Sequence, residues 1–429
     1  MTRLCILLLL SVAAACSAQS ESPSSATAAS KVELVKTGKG WKLLRNGQPY
    51  YIQGAGGAGV EGSLPLLVES GGNSTRTWGV DKRTIPVLDA AHKNGISVTQ
   101  GLWLEHQADD FDYQNAEQVA KQAKKTMDDV MRLKDHPALL IWSLGNEMEG
   151  NGDNEAVWRH IEDLAQRIKK VDPNHPIMTV IAEMGGGKID SIHKLCPSID
   201  IIGINSYGGA PSVPKRYHKF KGTKPYLIAE FGPLGTWEAG KNDFGAIREM
   251  TSTKKARMYD KSYRALKADP DFCLGSYAFL WGWKQEATST WFAMFTKDGK
   301  KSAPVDLMAE FWTGKSPENL CPKIESFKLQ GKNKRKPNEV VKINLSASDP
   351  EKQTLNVQWV VTDEAGYITG GFKQEEPKKH ENCVVSSDES GAEIKLPETE
   401  GIVRIYAYVD DGKNACATAS LPILVSAKN

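Results

Sequence analysis

Eight short apolar runs, most of them separated by segments of helical periodicity, constrain this chain more than any other feature. The runs read PYYIQGA, NSTRTWG, ISVTQGLWL, LLIWSLGNE, IMTVIAEM, IDIIGINSY, PYLIAEFG and CLGSYAFLWGW. Between them, apolar positions recur at spacings of three and four, most clearly over Ala116 to Lys134 and Glu155 to Lys170, the signature of amphipathic helices. Strands that are apolar on both faces and alternate with helices belong to a parallel sheet covered on both sides. Eight such units within residues 41–315 predict a closed (β/α)8 barrel. A doubly wound open sheet is the competing architecture. It would usually place a glycine-rich phosphate loop after its first strand, and GAGGAGVEG at 54–62 offers only a weak form of one.

After the linker TGKSPENLCP the texture changes. From residue 323 to 426 only strand-like segments remain, among them VVKINLSAS, LNVQWVVTD and GIVRIYAYVDD, broken by turns such as SDPEKQ. This predicts an antiparallel β-sandwich that resembles the immunoglobulin-like modules of secreted enzymes, with Trp359 in its core. Such a module is expected to do no chemistry and to be dispensable for turnover. At the other end, MTRLCILLLLSVAAAC has the short apolar run of a secretory signal over residues 1–15. The small residues before Cys16 resemble a lipoprotein cleavage box, which makes Cys16 the lipid anchor and residues 16–40 a polar tether. An ordinary cleaved signal is the alternative. Export to the cell surface follows in either case, with membrane attachment only through Cys16. No other stretch is long and apolar enough to span a bilayer. A formal net charge of +2 implies no nucleic-acid partner. Five cysteines beyond Cys16 lack zinc-site spacing. Cys383 and Cys416 could pair after export or remain free.

In a parallel barrel the reactive groups sit where strands end. The fourth run ends in Asn146 and Glu147, and the seventh ends with Glu230. One carboxylate at a strand mouth could be a cap or an ion-pair partner. Two suit glycosidic cleavage, which needs one carboxyl to protonate the leaving oxygen and another to attack the sugar carbon or activate water. Glu149 and Glu183 are the rivals to this pair; Glu149, two residues past the strand end, reads as binding sugar or facing water rather than as catalytic. Trp103, Glu105 and His106 end the third run. His106 either contacts sugar or is structural, since a third metal ligand is lacking. Trp237 and Glu238 fall on the loop after the seventh run, where an aromatic face can stack on a pyranose. Trp142, Trp158 and Trp312 read as core.

HPALLIWSLGNE resembles the acid/base signature of clan A glycoside hydrolases, and its wording is closest to family 2. The resemblance implies Glu147 as acid/base, Glu230 as nucleophile and Asn146 as partner of the sugar 2-hydroxyl. It further implies Arg76 orienting the nucleophile, Tyr207 donating to it, and Trp281 or Trp283 as the floor of the site, with no cofactor and no metal. The barrel follows the tether directly, without the domains that precede it in family 2. That order, with one trailing sandwich, resembles glycoside hydrolase family 158, which implies a polysaccharide substrate such as β-1,3-glucan (laminarin). The alternatives are a β-glucan transglycosylase, a family 2-like β-galactosidase or β-mannosidase, and a non-catalytic glycan-binding lipoprotein.

Overall fold

A computed structural model describes residues 29–57, 63–366 and 374–428. The signal segment, Cys16 and most of the tether lie outside the described residues. The described chain begins with an antiparallel sheet of β1 (Val32–Lys36), β2 (Trp41–Arg45) and β3 (Gln48–Pro49). This corrects the tether boundary, because residues 31–40 fold. Val32 and Leu43 are buried against Leu140, Met178 and Leu227 of the barrel. The sheet is pinned by hydrogen bonds to the segments that precede barrel strands: Val32 N to Asn174 O, Trp41 N to Asp271 O and Arg45 Nη2 to Pro137 O. It therefore plugs the amino-terminal face. The alternation in VELVK, short as it is, was the available sign of a half-buried strand.

The barrel strands are β4 (Ile52–Gly56), β5 (Ser74–Arg76), β6 (Ser97–Leu102), β7 (Leu139–Leu144), β8 (Ile177–Ala182), β9 (Ile201–Asn205), β10 (Tyr226–Phe231) and β11 (Cys273–Ala278). All eight pair in parallel, and β11 closes on β4, so each of the eight runs supplies one strand of the (β/α)8 barrel. Helices α1 (Ser63–Glu69), α2 (Thr84–Lys93), α3 (Ala116–Leu133), α4 (Glu155–Val171), α5 (Lys188–Leu195), α6 (Val213–Lys219), α7 (Ser252–Lys267) and α8 (Ala303–Thr313) form the outer layer. Asn115 caps α3 by accepting from the Glu117 and Gln118 amides, and Asn154 caps α4 through Ala156, satisfying amides that a helix start leaves unpaired. Trp142 and Trp158 are fully buried in the barrel.

Two four-stranded sheets make the sandwich. One has the order β12 (Lys323–Leu329), β14 (Val340–Ser348), β17 (Gly391–Lys395), β16 (Val384–Asp388). The other runs β13 (Lys334–Arg335), β19 (Cys416–Val425), β18 (Gly401–Asp410), β15 (Asn356–Asp363). Trp359 stacks on Phe327 in its core. Cys383 and Cys416 are both buried free thiols, and no disulfide occurs among the described residues. Cys383 precedes the edge strand β16, whereas Cys416 starts β19 in the opposite sheet.

The sandwich is not a loose appendage. Arg404 of β18, 1% exposed, donates to the barrel carbonyl of Ile247 and holds Glu364 with two hydrogen bonds. Ser420 bridges Arg404 to Glu249, whose other oxygen takes the Lys255 ammonium. Further bonds run from Ile324 N to Thr253 and from Thr418 N to Ser252 at the start of α7. Burying this many charges is tolerable only because each is paired and hydrogen-bonded.

Candidate active site

At the carboxyl-terminal mouth the chain leaves β7 through two residues at positive φ, Gly145 (76°) and Glu147 (55°). At φ 76° Gly145 lies in the left-handed region that favours glycine, and a Cβ there would also press on the Met148 side chain. Glu147 is a non-glycine residue in the left-handed region, a conformation that costs energy and gathers at functional sites. Its amide is tied to Val180 O, and its Oε1 accepts from Asn205 Nδ2 at 2.7 Å. The turn thus converts a buried strand into a mount that aims a carboxyl across the barrel mouth.

Glu230, near the end of β10 and 7% exposed, is met by three donors. Arg76 Nη1 and Trp78 Nε1 reach its Oε1 at 2.9 and 2.7 Å, and the Tyr207 hydroxyl reaches its Oε2 at 2.7 Å. That is the hydrogen-bond set a carboxylate requires. Arg76 is completely buried and also bonds Asn146 Oδ1 at 2.6 Å and Ala229 O at 3.0 Å. One guanidinium therefore links the strand-end polar groups of β7 and β10. Asn146 takes a second, longer bond from Asn205 at 3.2 Å.

The two carboxyl groups sit in different environments. Burial, followed by the repulsion of Glu230, raises the Glu147 carboxyl from 4.5 to about 7, against the opposing hydrogen bond from Asn205. Burial and the Glu230 charge also push the Tyr207 phenol well above its usual range, which keeps it a donor. A carboxyl group raised to about 7 thus stands near a second one that, among the described residues, is met by three donors.

The remaining sequence-derived candidates divide. Trp237 is 55% exposed and meets Tyr207 edge-on at 5.5 Å, leaving a free aromatic face beside Glu230. Glu238 accepts from the amides of Gly208 and Gly235, tying the loop after β9 to the loop after β10. Trp103 and His106 stack on each other at 5.1 Å. Trp281 does not reach the site: it is fully buried between Phe295 and Trp312 and donates to Ser63 O. The aromatic that follows β11 at the site is Phe279, edge-on to both Trp78 and Tyr207. Trp283 is partly buried, with the Lys297 ammonium 5.1 Å from its ring, and Lys297 pairs with Glu376 of the sandwich. Glu149 neither faces water nor is free for sugar, being 2% exposed and bound to Lys188 Nζ and Ala182 N. Glu183 is taken by Arg216 and Ser206. Among the described residues, no group of three His, Cys, Asp or Glu side chains could hold a metal ion, and no helix is long and apolar enough to cross a membrane.

Two residues of the cluster were not singled out from the sequence. Trp78 lies two positions beyond Arg76, in the bend that follows β5. Asn205 lies two before Tyr207, inside the run IDIIGINSY. Polar or aromatic residues at alternate positions past a strand end were the available signal.

The family model for the TIM barrel domain of glycosyl hydrolases family 2 matches residues 76–263. Beta-galactosidase 2 of Enterobacter cloacae is 26% identical over 207 residues, which are 47% of this chain and 16% of that protein. The match therefore spans less than a fifth of the curated relative. Among solved structures, a beta-glucuronidase from an uncultured Clostridium sp. superposes with a TM-score of 0.54 at 20% identity, covering 67% of this chain and 54% of that one. A Bacteroides uniformis beta-glucuronidase covers 92% of this chain and 48% of its own, with a TM-score of 0.50 and 14% identity. Residues 76–263 thus match the TIM barrel domain of glycosyl hydrolases family 2, and the chain shares its fold with these beta-glucuronidases.

Proposed function

We propose that this protein is a retaining β-glycosidase working by double displacement. The observation that carries the reading is the asymmetry of its two carboxyl groups: Glu147 is raised to about 7, and Glu230 is met by three donors. In the first step Glu147 gives its proton to the glycosidic oxygen. A Glu230 oxygen bonds the anomeric carbon, and the leaving alcohol takes the electrons of the broken C–O bond. Glycosylation removes the Glu230 charge that helped to raise Glu147. Glu147, now ionised, accepts a proton from water, whose oxygen attacks the anomeric carbon and frees Glu230. Asn146, fixed by Arg76, is the partner assigned to the sugar 2-hydroxyl.

The substrate reading is β-1,3-glucan, and what supports it is the exposed Trp237 against Tyr207 beside the nucleophile. A family 2-like β-galactosidase or β-glucuronidase is the second reading, favoured by the names of the relatives. A transglycosylase would use the same pair with a sugar in place of water. Surface attachment through Cys16 is likewise proposed, on the strength of the leader sequence alone.

Azide separates the two roles. Glu230→Ala should be inactive until azide is added, and should then yield the α-glycosyl azide from a β-linked substrate. Glu147→Ala should cleave only substrates with activated leaving groups and yield the β-glycosyl azide. Near wild-type turnover in Glu230→Ala refutes the assignment. Rates on laminarin, mixed-linkage glucan, galactan, and 4-nitrophenyl β-galactoside and β-glucuronide decide the sugar.

A further inference from the structure

A cavity of about 460 Å3 adjoins the catalytic cluster on the side of β5 and β6. Its inner end is formed by Arg76 and Trp78, both in contact with Glu230. Its outer end lies between the start of α2 and the middle of α3, where Val87, Lys125 and Asp129 line it with Arg83 at the rim. Trp103 forms another wall, and its ring is backed by His106. The volume falls within the roughly 300–1,000 Å3 of small-molecule sites. Two indoles plus paired charges suit a sugar ring, because pyranoses present an apolar face to aromatics and hydroxyls to planar polar groups. Arg83 and Asp81 form such a planar pair at 2.8 Å.

Position decides which ring could sit there. The leaving oxygen must lie by Glu147, whose direct partner is Asn205, and neither residue lines the cavity. The cavity instead shares its wall with the nucleophile. We propose that it binds a second sugar of the same glycan, the one linked to the ring that becomes attached to Glu230. The inference rests on the glycosidase reading above. It implies a chain-cleaving enzyme whose substrate extends beyond a single terminal residue on the non-reducing side. The cavity is then a specificity element, acting on longer substrates and leaving the chemistry of the attached ring alone.

The test fills the outer end without touching the catalytic cluster, through Val87→Trp on α2 and Lys125→Trp on the exposed side of α3. The probes are 4-nitrophenyl β-glycosides of the sugar that the substrate screen identifies, and of its β-linked di- and trisaccharides. In the wild type, kcat/KM should rise at least tenfold from the mono- to the disaccharide glycoside. Each variant should lose most of that gain and keep the monosaccharide rate within about twofold. Should Val87→Trp fail to fold, Lys125→Trp carries the comparison, since its position is already exposed. No gain with length in the wild type, or a gain that both variants retain, overturns the inference and leaves the glycosidase reading standing. No turnover on any β-glycoside overturns the glycosidase reading itself.

Discussion

Glu147 should make the folded protein less stable as pH rises through neutrality, and Glu147→Gln should remove that dependence. The carboxyl titrates at about 7 in the folded chain against 4.5 when unperturbed, chiefly through burial and secondarily through Glu230. A carboxyl whose folded value is raised contributes its stability in the protonated form. The contribution is complete below about 4.5 and is lost as pH climbs through about 7. At about 1.4 kcal/mol per pH decade, the swing is roughly 3 kcal/mol, reduced to about 2–3 by the partial solvent access of the barrel mouth. Glutamine keeps the shape and the bond to Asn205 but cannot ionise, so the variant escapes the penalty. Thermal unfolding of both proteins at pH 5 and pH 8.5 gives the double difference, in which titrating groups that do not interact with Glu147 cancel. The variant should gain several degrees relative to wild type on going to pH 8.5, at roughly 1–2 °C per kcal/mol for a chain of this length. Parallel melting curves across that range would refute the electrostatic account of Glu147, and with it the physical basis for its role as the acid.

Trp78→Phe removes one of three donors to Glu230 and preserves an aromatic ring against Phe279, so kcat should fall about ten- to a hundredfold while the melting temperature barely moves; a hydrogen bond to a charged group contributes about 1.5–3 kcal/mol. Trp237→Ala should lower oligosaccharide turnover by about ten- to a hundredfold without changing the pH profile, because it removes a stacking face and no titrating group; an altered pH profile would argue against a platform role. Arg404→Met should destabilise the chain by about 3–5 kcal/mol, the cost of stranding one partner of a buried ion pair, measured by denaturant titration. A truncation after Ser316 should likewise lower the melting temperature, because it removes the bonds that Arg404, Ser420, Thr418 and Ile324 make to the barrel.

The barrel was legible because its signal is local. Eight apolar runs flanked by amphipathic helices cannot bury their surfaces in many other ways, and each run needs only its own composition to declare itself. The same locality made Glu147 and Glu230 visible, since a carboxyl directly after a buried strand conflicts with its neighbours and invites a reason. Domain texture likewise separated the sandwich from the barrel. What the sequence alone could not decide was direction and partnership. Trp281 and Phe279 stand two residues apart after the same strand, and only the packed barrel shows that the larger ring turns into the core against Trp312 while the smaller one faces Tyr207. Glu149 and Glu147 differ by the same spacing, yet Lys188, thirty-nine positions beyond Glu149, converts one into a structural ion pair and leaves the other at the barrel mouth against Asn205. Arg404 lies in a different domain from the barrel loop that it holds. These outcomes depend on groups brought together across long stretches of chain, and burial and charge pairing act through space, not along the sequence.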